Sequence, residues 1–219
     1  MNEHNYKFLK ITEMKIVYEY QLSDNVADMT KIMNDQMKID CKPILLNTLM
    51  NEIFHKFLVH PVYMKKNAER QNIVLRYDVP KENVVIMSDP NKLKQIFVNL
   101  IGNALKFTEK GFVYFGCTMK NREIVFYVMD SGIGIQDHKM QKIFHQFTHA
   151  DNSIARKYGG LGLGLAISKG LINLLSGKIW CVSHFGKGSN FYFSIPFRPA
   201  TMFVSADTSQ KKKQSFQKM

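Results

Sequence analysis

Two asparagines, Asn99 and Asn103, stand four residues apart, and Lys106 and Phe107 follow seven and eight positions after the first. At helical periodicity these four project from roughly one side, while Leu93, Ile96, Phe97 and Leu100 take the other. Asparagine is a poor helix former because its amide competes for nearby backbone groups, so two on one face call for solvent or a ligand. The Asn103 carbonyl oxygen would suit a magnesium ion shared with a polyphosphate, because magnesium takes few protein oxygens and keeps several waters. Lys106 would then meet phosphate charge. Taken alone, the same pattern also describes an ordinary amphipathic surface helix.

A second constellation, Asp130-Ser131-Gly132-Ile133-Gly134-Ile135, directly follows an apolar run. A carboxylate at a strand end can accept a hydrogen bond from an amine, and bare glycine backbone lets a flat ring approach. Adenine offers an amine at its six position where guanine offers an oxygen, so Asp130 could select ATP over GTP. On its own the string could also be a strand-to-helix turn. The third, Gly159-Gly160-Leu161-Gly162-Leu163-Gly164-Leu165, places four glycines before an apolar helix. A helix N-terminus with free amides is an anion site, and glycine density suits a mobile lid. It is not a P-loop, lacking Gly-Lys-Ser/Thr, nor a dinucleotide fingerprint, because Ile167 stands where the third glycine belongs. The HRD and DFG strings of protein kinases are absent.

The elements that must position these residues are legible in the same way. Apolar positions from about Lys7 to Asn34 recur at helical spacing without Gly or Pro, predicting one long amphipathic helix. Lys42 and Pro43 interrupt it, and Leu46 to about Leu58 resumes a helical pattern. Runs at Ile73–Val79, Val84–Met87, Phe112–Met119 and Ile124–Met129 are short and rich in branched or aromatic residues, as strands are. A helix spans Asp89 to Phe107 with Pro90 in its first turn. Another runs from about Gly164 through Leu175, and strands at Lys178–Ser183 and Asn190–Pro196 close the chain. Helices on one face of a largely antiparallel sheet make an α+β fold, a two-layer sandwich.

The ordered segments NLIGNALKFT from Asn99, DSGIGI from Asp130, IFHQFTHAD from Ile143 and RKYGGLGLGLAISK from Arg156 resemble the N, G1, F and G2 boxes of the histidine kinase ATPase domain. That domain belongs to the GHKL superfamily, shared with a chaperone, a type II topoisomerase and a mismatch-repair ATPase. GKGSNFYFSIP from Gly186 is similar to the family's final strand. The resemblance implies that Asn103 ligands magnesium and that Asn99 occupies the place of a glutamate base in hydrolysing members. That exchange suits a kinase, since a water-activating carboxylate would waste the nucleotide. It also implies that Lys106 and Arg156 contact phosphate, that Asp130 binds adenine, and that Phe107, Gly132, Gly134 and Ile135 line the nucleotide. Gly160, Leu161, Gly162, Leu163 and Gly164 would form the lid and its hinge. Phe144 and Phe147 match the F-box aromatics that anchor the lid, with Phe147 counted in the nucleotide-binding set.

Two departures accompany the resemblance. Leu161 stands where the family often has threonine or serine, so a hydroxyl contact to phosphate would be missing. No His-Glu/Asp-Leu-Arg-x-Pro phosphoacceptor string occurs in the sequence. The segment Phe8 to Ile32 resembles instead the second helix of a dimerisation and histidine-phosphotransfer domain. The implied organisation is residues 1–40 as that partial domain, 41–198 as the ATP-binding catalytic domain, and 199–219 as a basic linker. The implied cofactors are ATP and Mg2+. The implied partners are a phosphoacceptor histidine domain, in cis or in trans, a response regulator receiver domain, and a second copy through the N-terminal helix. Rival readings are a GHKL serine kinase and a nucleotide-binding regulatory module without turnover.

Composition sets the remaining bounds. With 45% apolar residues, 219 residues can bury one substantial core. A formal charge of +12 permits nucleic acid, anionic lipid or polyphosphate partners without choosing among them. The lysine-rich end, Lys211 to Lys213 and Lys218, lacks an aromatic or arginine stacking pattern, so no nucleic-acid contact is expected. No apolar stretch reaches the length of a membrane span, and no secretory signal opens the sequence, so the expectation is a cytoplasmic chain without membrane contact. Cys41, Cys117 and Cys181 are read as small core residues, Trp180 as core, and His145 and His149 as lid packing rather than a metal pair.

Overall fold

The computed structural model describes residues 23–68, 72–80, 82–147 and 162–199. Residues 23–33 form helix α1, and the earlier part of the long predicted helix lies outside the described residues. Then come β1 (Lys42–Leu45), α2 (Leu46–Leu58), α3 (Pro61–Ala68), β2 (Ile73–Asp78), β3 (Val85–Ser88) and α4 (Pro90–Phe107). After these the chain forms β4 (Gly111–Lys120), β5 (Glu123–Asp130), the short α5 (Asp137–Met140), α6 (Gly164–Leu174), β6 (Lys178–His184) and β7 (Gly188–Pro196).

The main sheet has five strands in the order β2-β4-β5-β7-β6. Only β2–β4 is parallel, the other pairings being antiparallel, and β1 and β3 make a separate two-stranded ribbon. Period-two alternation sends Ile124, Phe126 and Val128 of β5 to the helical side and leaves Val125, Tyr127 and Met129 outward. The core lies between that inner face and the apolar stripes of α2, α4 and α6. At its centre the Phe97 ring of α4 sits 5.9, 5.7 and 5.4 Å from the rings of Phe115, Phe126 and Phe193. Truncating such a ring costs about 3–5 kcal/mol, so α4 is held firmly across three strands. This is the two-layer α+β sandwich expected from the pattern.

Helix α4 starts where it does because Asp89 caps it. Its Oδ1 accepts hydrogen bonds from the Asn91 and Lys92 amides at 2.9 and 3.1 Å. Its Oδ2 accepts from the Asp40 amide at 2.9 Å, tying the end of the α1–β1 connection to the same cap. Helix α1 packs on the domain through Met29 and Ile32, the Ile32 methyls filling the space beside Gly170 of α6. The Gln95 amide of α4 donates to the Asp28 carboxylate at 2.6 Å.

Three expectations are corrected. Trp180 is 39% exposed, because alternation along β6 turns it outward with Lys178 and Val182, where it stacks on Tyr192. Cys41 is exposed, unlike the buried Cys117. Pro43 does not merely interrupt a helix. It lies in strand β1, tolerated there because a ribbon edge needs no hydrogen bond from that position.

Candidate functional site

The three glycine- and asparagine-bearing segments converge on α4. At its C-terminal end, the Phe107 carbonyl accepts a hydrogen bond from the Ile133 amide at 3.2 Å. At its middle, the Asn99 amide nitrogen donates to the Gly164 carbonyl at 3.1 Å and to Ser168 Oγ at 3.2 Å. The loop after β5 and the first turn of α6 are thereby fixed to one helix, whose polar side lies between them.

Asp130 ends β5 on the inner face of the sheet and is 7% exposed. Its Oδ1 accepts from the Gly132 amide at 2.8 Å and the Ser189 amide at 3.3 Å, leaving Oδ2 without a hydrogen bond among the described residues. Burial pushes the carboxyl up to about 6, and the two amide hydrogen bonds partly oppose that rise. A carboxylate held by one oxygen with the other open is an oriented acceptor for a ligand amine.

The glycines of this loop answer specific close approaches. A Cβ on Gly132 would lie 2.5 Å from the Phe107 carbonyl oxygen. Gly134 has φ +67° and abuts the His184 carbonyl, so a side chain is excluded on both counts. The Ile135 amide donates to Ser183 Oγ at 2.9 Å, seating the loop on β6. Gly162, at φ +70°, also takes a conformation that favours glycine, whereas a Cβ on Gly164 would find only ordinary contact with Asn99 at 3.6 Å. Leu163 is buried and anchors the entry to α6.

Asn103, half-buried on α4, makes no side-chain hydrogen bond among the described residues. The Lys106 ammonium lies 5.1 Å from the centre of the Phe107 ring, and burial lowers its pKa. Phosphate charge nearby would offset that loss of solvation. The structure separates the two phenylalanines: Phe144 packs edge-on against Phe191 at 6.4 Å, while Phe147 is 65% exposed. Arg156, Gly160 and Leu161 lie outside the described residues, as does His149.

Sequence reasoning passed over three contributors. Ser168 closes the Asn99 contact and donates to the Gly164 carbonyl at 2.8 Å; a serine one turn after Gly164, between the apolar Ala166, Ile167 and Leu171, was the available signal. Ser183 holds Ile135. Lys66 of α3 is buried and donates to the carbonyls of Lys106 and Thr108, and nothing in the local pattern announced it.

The profile of the histidine kinase-, DNA gyrase B- and HSP90-like ATPases matches residues 88–199. The chain belongs to this family and carries the ATP-binding fold of sensor histidine kinases. Among relatives, it is 31% identical over 199 residues to the circadian input-output histidine kinase CikA of Synechococcus elongatus. That match covers 90% of this chain and 26% of the relative, so the chain spans about a quarter of that protein's length. The nucleotide-free catalytic domain of histidine kinase ThkA superposes with a TM-score of 0.59 at 26% identity, covering 73% of this chain and 97% of that one. Full-length ShkA, solved in complex with AMPPNP, gives a TM-score of 0.75 at 24% identity over 91% of this chain and 40% of that one, a likeness of fold.

Proposed function

We propose that this chain is the catalytic domain of a protein-histidine kinase of a two-component system, binding Mg-ATP on the polar side of α4. The observation that carries the reading is the junction of three segments: α4 bonded to the Gly132–Ile133 loop at its end and to Gly164 at its middle. In this reading the open Oδ2 of Asp130 accepts the adenine amine, and Gly132, Gly134, Ile135 and Phe107 line the base. Lys106 neutralises phosphate charge, with Arg156 assigned the same part from its motif. Asn103 fits magnesium as a single uncommitted amide oxygen, the remaining positions belonging to phosphate and water. When bound, Mg-ATP supplies the transferable γ-phosphoryl group.

The residues here hold, orient and neutralise, and phosphoryl transfer needs little else from a protein. Asn99 donates its amide to Gly164 and Ser168, which directs its NH2 group into the protein. An amide cannot take a proton from water as a carboxylate does, which favours transfer to a protein acceptor over hydrolysis.

The acceptor is a histidine of a phosphotransfer domain, in cis or in trans, and the phosphoryl group then passes to the aspartate of a receiver domain. Residues 1–40 belong to the second helix of a dimerisation and phosphotransfer domain, 41–198 to the ATP-binding unit, and 199–219 to a linker. Among the described residues no helix is long and apolar enough to cross a membrane, and the reading places this domain in the cytoplasm.

The test is phosphotransfer in trans, with γ-labelled ATP, magnesium and a separately produced histidine-phosphotransfer domain of a related kinase. Acid-labile, base-stable label on the acceptor supports the reading. Release of inorganic phosphate without label would favour a hydrolase, and acid-stable label a serine kinase.

A further inference from the structure

Three successive carbonyls at the end of α4, those of Lys106, Phe107 and Thr108, have reached the point where a helix runs out of its own donors. Phe107 gives its carbonyl to the Ile133 amide of the glycine loop. The other two are taken by a single group from another element: the Lys66 ammonium donates to the Lys106 carbonyl at 3.2 Å and to the Thr108 carbonyl. Lys66 is only 9% exposed. A buried ammonium is costly unless its donors are satisfied, and a cation at a helix C-terminus meets the negative end of the helix dipole.

We propose that Lys66 is a positioning residue for the nucleotide site, clamping from behind the turn that presents Lys106 and Phe107 to the ligand and carries the adenine loop. The inference rests on the nucleotide reading above. Its physical basis is the lack of slack at this turn. Gly132 sits against the Phe107 carbonyl so closely that a Cβ would lie 2.5 Å from the oxygen. A rotation of that peptide therefore moves both sides of the site. The Lys106 side chain would leave the phosphate region, and the Gly132–Ile133 backbone would shift relative to Asp130. Lys66 touches neither base nor phosphate in this account; it acts through the backbone of α4. It also links α3 to the site, so that displacement of α3 would be felt as a change in nucleotide affinity.

The experiment measures binding of a nonhydrolysable ATP analogue with magnesium to the whole chain. The parent is compared with Lys66→Met, Lys66→Arg and Lys66→Gln, at a temperature where circular dichroism shows each folded. Lys66→Met should bind roughly tenfold more weakly, the scale of losing hydrogen bonds from a charged donor. Lys66→Arg, which keeps the cation and several donors, should recover most of that loss. Lys66→Gln, a donor without the charge, should fall between them and serves in place of the Met variant should that one not fold.

Two outcomes overturn the proposal. One is Met or Gln variants that bind within twofold of the parent. The other is an Arg variant as weak as the Met variant, which would assign the effect to packing. A parent chain that binds no nucleotide would instead count against the nucleotide reading itself.

Discussion

The Asn99 amide nitrogen lies 3.1 Å from the Gly164 carbonyl oxygen and 3.2 Å from Ser168 Oγ, so α4, packed across the sheet, holds the first turn of α6. A residue whose counterpart in hydrolysing relatives is read as a base thus serves here as a tie between two helices. The donor is the NH2 group, and only an amide can supply it in this geometry.

Asn99→Asp should therefore destabilise the chain although it is nearly isosteric. A carboxylate cannot donate to the Gly164 carbonyl and would bring two acceptors together, at a cost of about 1–3 kcal/mol. Ser168→Ala, which removes one partner and leaves the Asn99–Gly164 bond, should cost less. Urea denaturation of the two variants beside the parent gives the order. An Asp variant as stable as the parent would show that the tie contributes nothing.

Asp130 should make stability and nucleotide binding respond oppositely to acid. Its folded-state pKa, about 6, lies above the ordinary 3.8 because burial disfavours the carboxylate. The folded chain therefore takes up a proton in that window before the unfolded chain does, and this group's contribution to stability is lost as pH rises from about 4 through 6. Asp130→Asn should be more stable relative to the parent at pH 7.5 than at pH 4, by at most about 3 kcal/mol. Adenosine affinity of the parent should fall as pH drops through about 6, since a protonated Oδ2 no longer accepts freely. Thermal melts and adenosine titrations across pH 4 to 7.5 check both halves.

A pair of glycines makes a sharper stability test. Gly134 has φ +67° and abuts the His184 carbonyl, whereas nothing lies within 4 Å of a Cβ added to Gly102 in α4. Gly134→Ala should cost about 2–5 kcal/mol from strain and overlap. Gly102→Ala should stabilise by about 0.5–1 kcal/mol by lowering the backbone entropy lost in the helix. Chemical denaturation of both variants reads the signs directly.

How far the sequence foretold this arrangement depends on whether the deciding physics was local. Helix α4 was legible from Asp89 and Pro90 at its start and a continuous apolar stripe through Phe97 and Leu100, all local signals. Each strand of the main sheet was placed within two residues, because short branched runs between polar turns report themselves. The parallel pairing of β2 with β4 was not legible, since register between segments separated by a helix is set by packing. Helix α3 went unread: its eight residues include Pro61, Lys65 and Lys66 and bury little apolar surface. Trp180 was misplaced because its size spoke for the core while the alternation of β6, which decides, turns it outward.

The site shows the same division. Asp130, Gly132 and Gly134 announced themselves by type and spacing. The contributions of Lys66, Ser168 and Ser183 depend on partners 42, 69 and 48 positions away that only the folded chain brings within hydrogen-bond reach.

A magnesium-dependent adenine nucleotide site between α4 and the glycine loop can be read out by calorimetric titration with a nonhydrolysable ATP analogue. The titration is run with and without magnesium on the parent, Asn103→Ala and Asp130→Ala. Such a site requires magnesium-dependent binding by the parent, loss of the magnesium dependence in Asn103→Ala, and loss of most affinity in Asp130→Ala. Absence of binding by the folded parent at any magnesium concentration, or equal binding by all three chains, would contradict it.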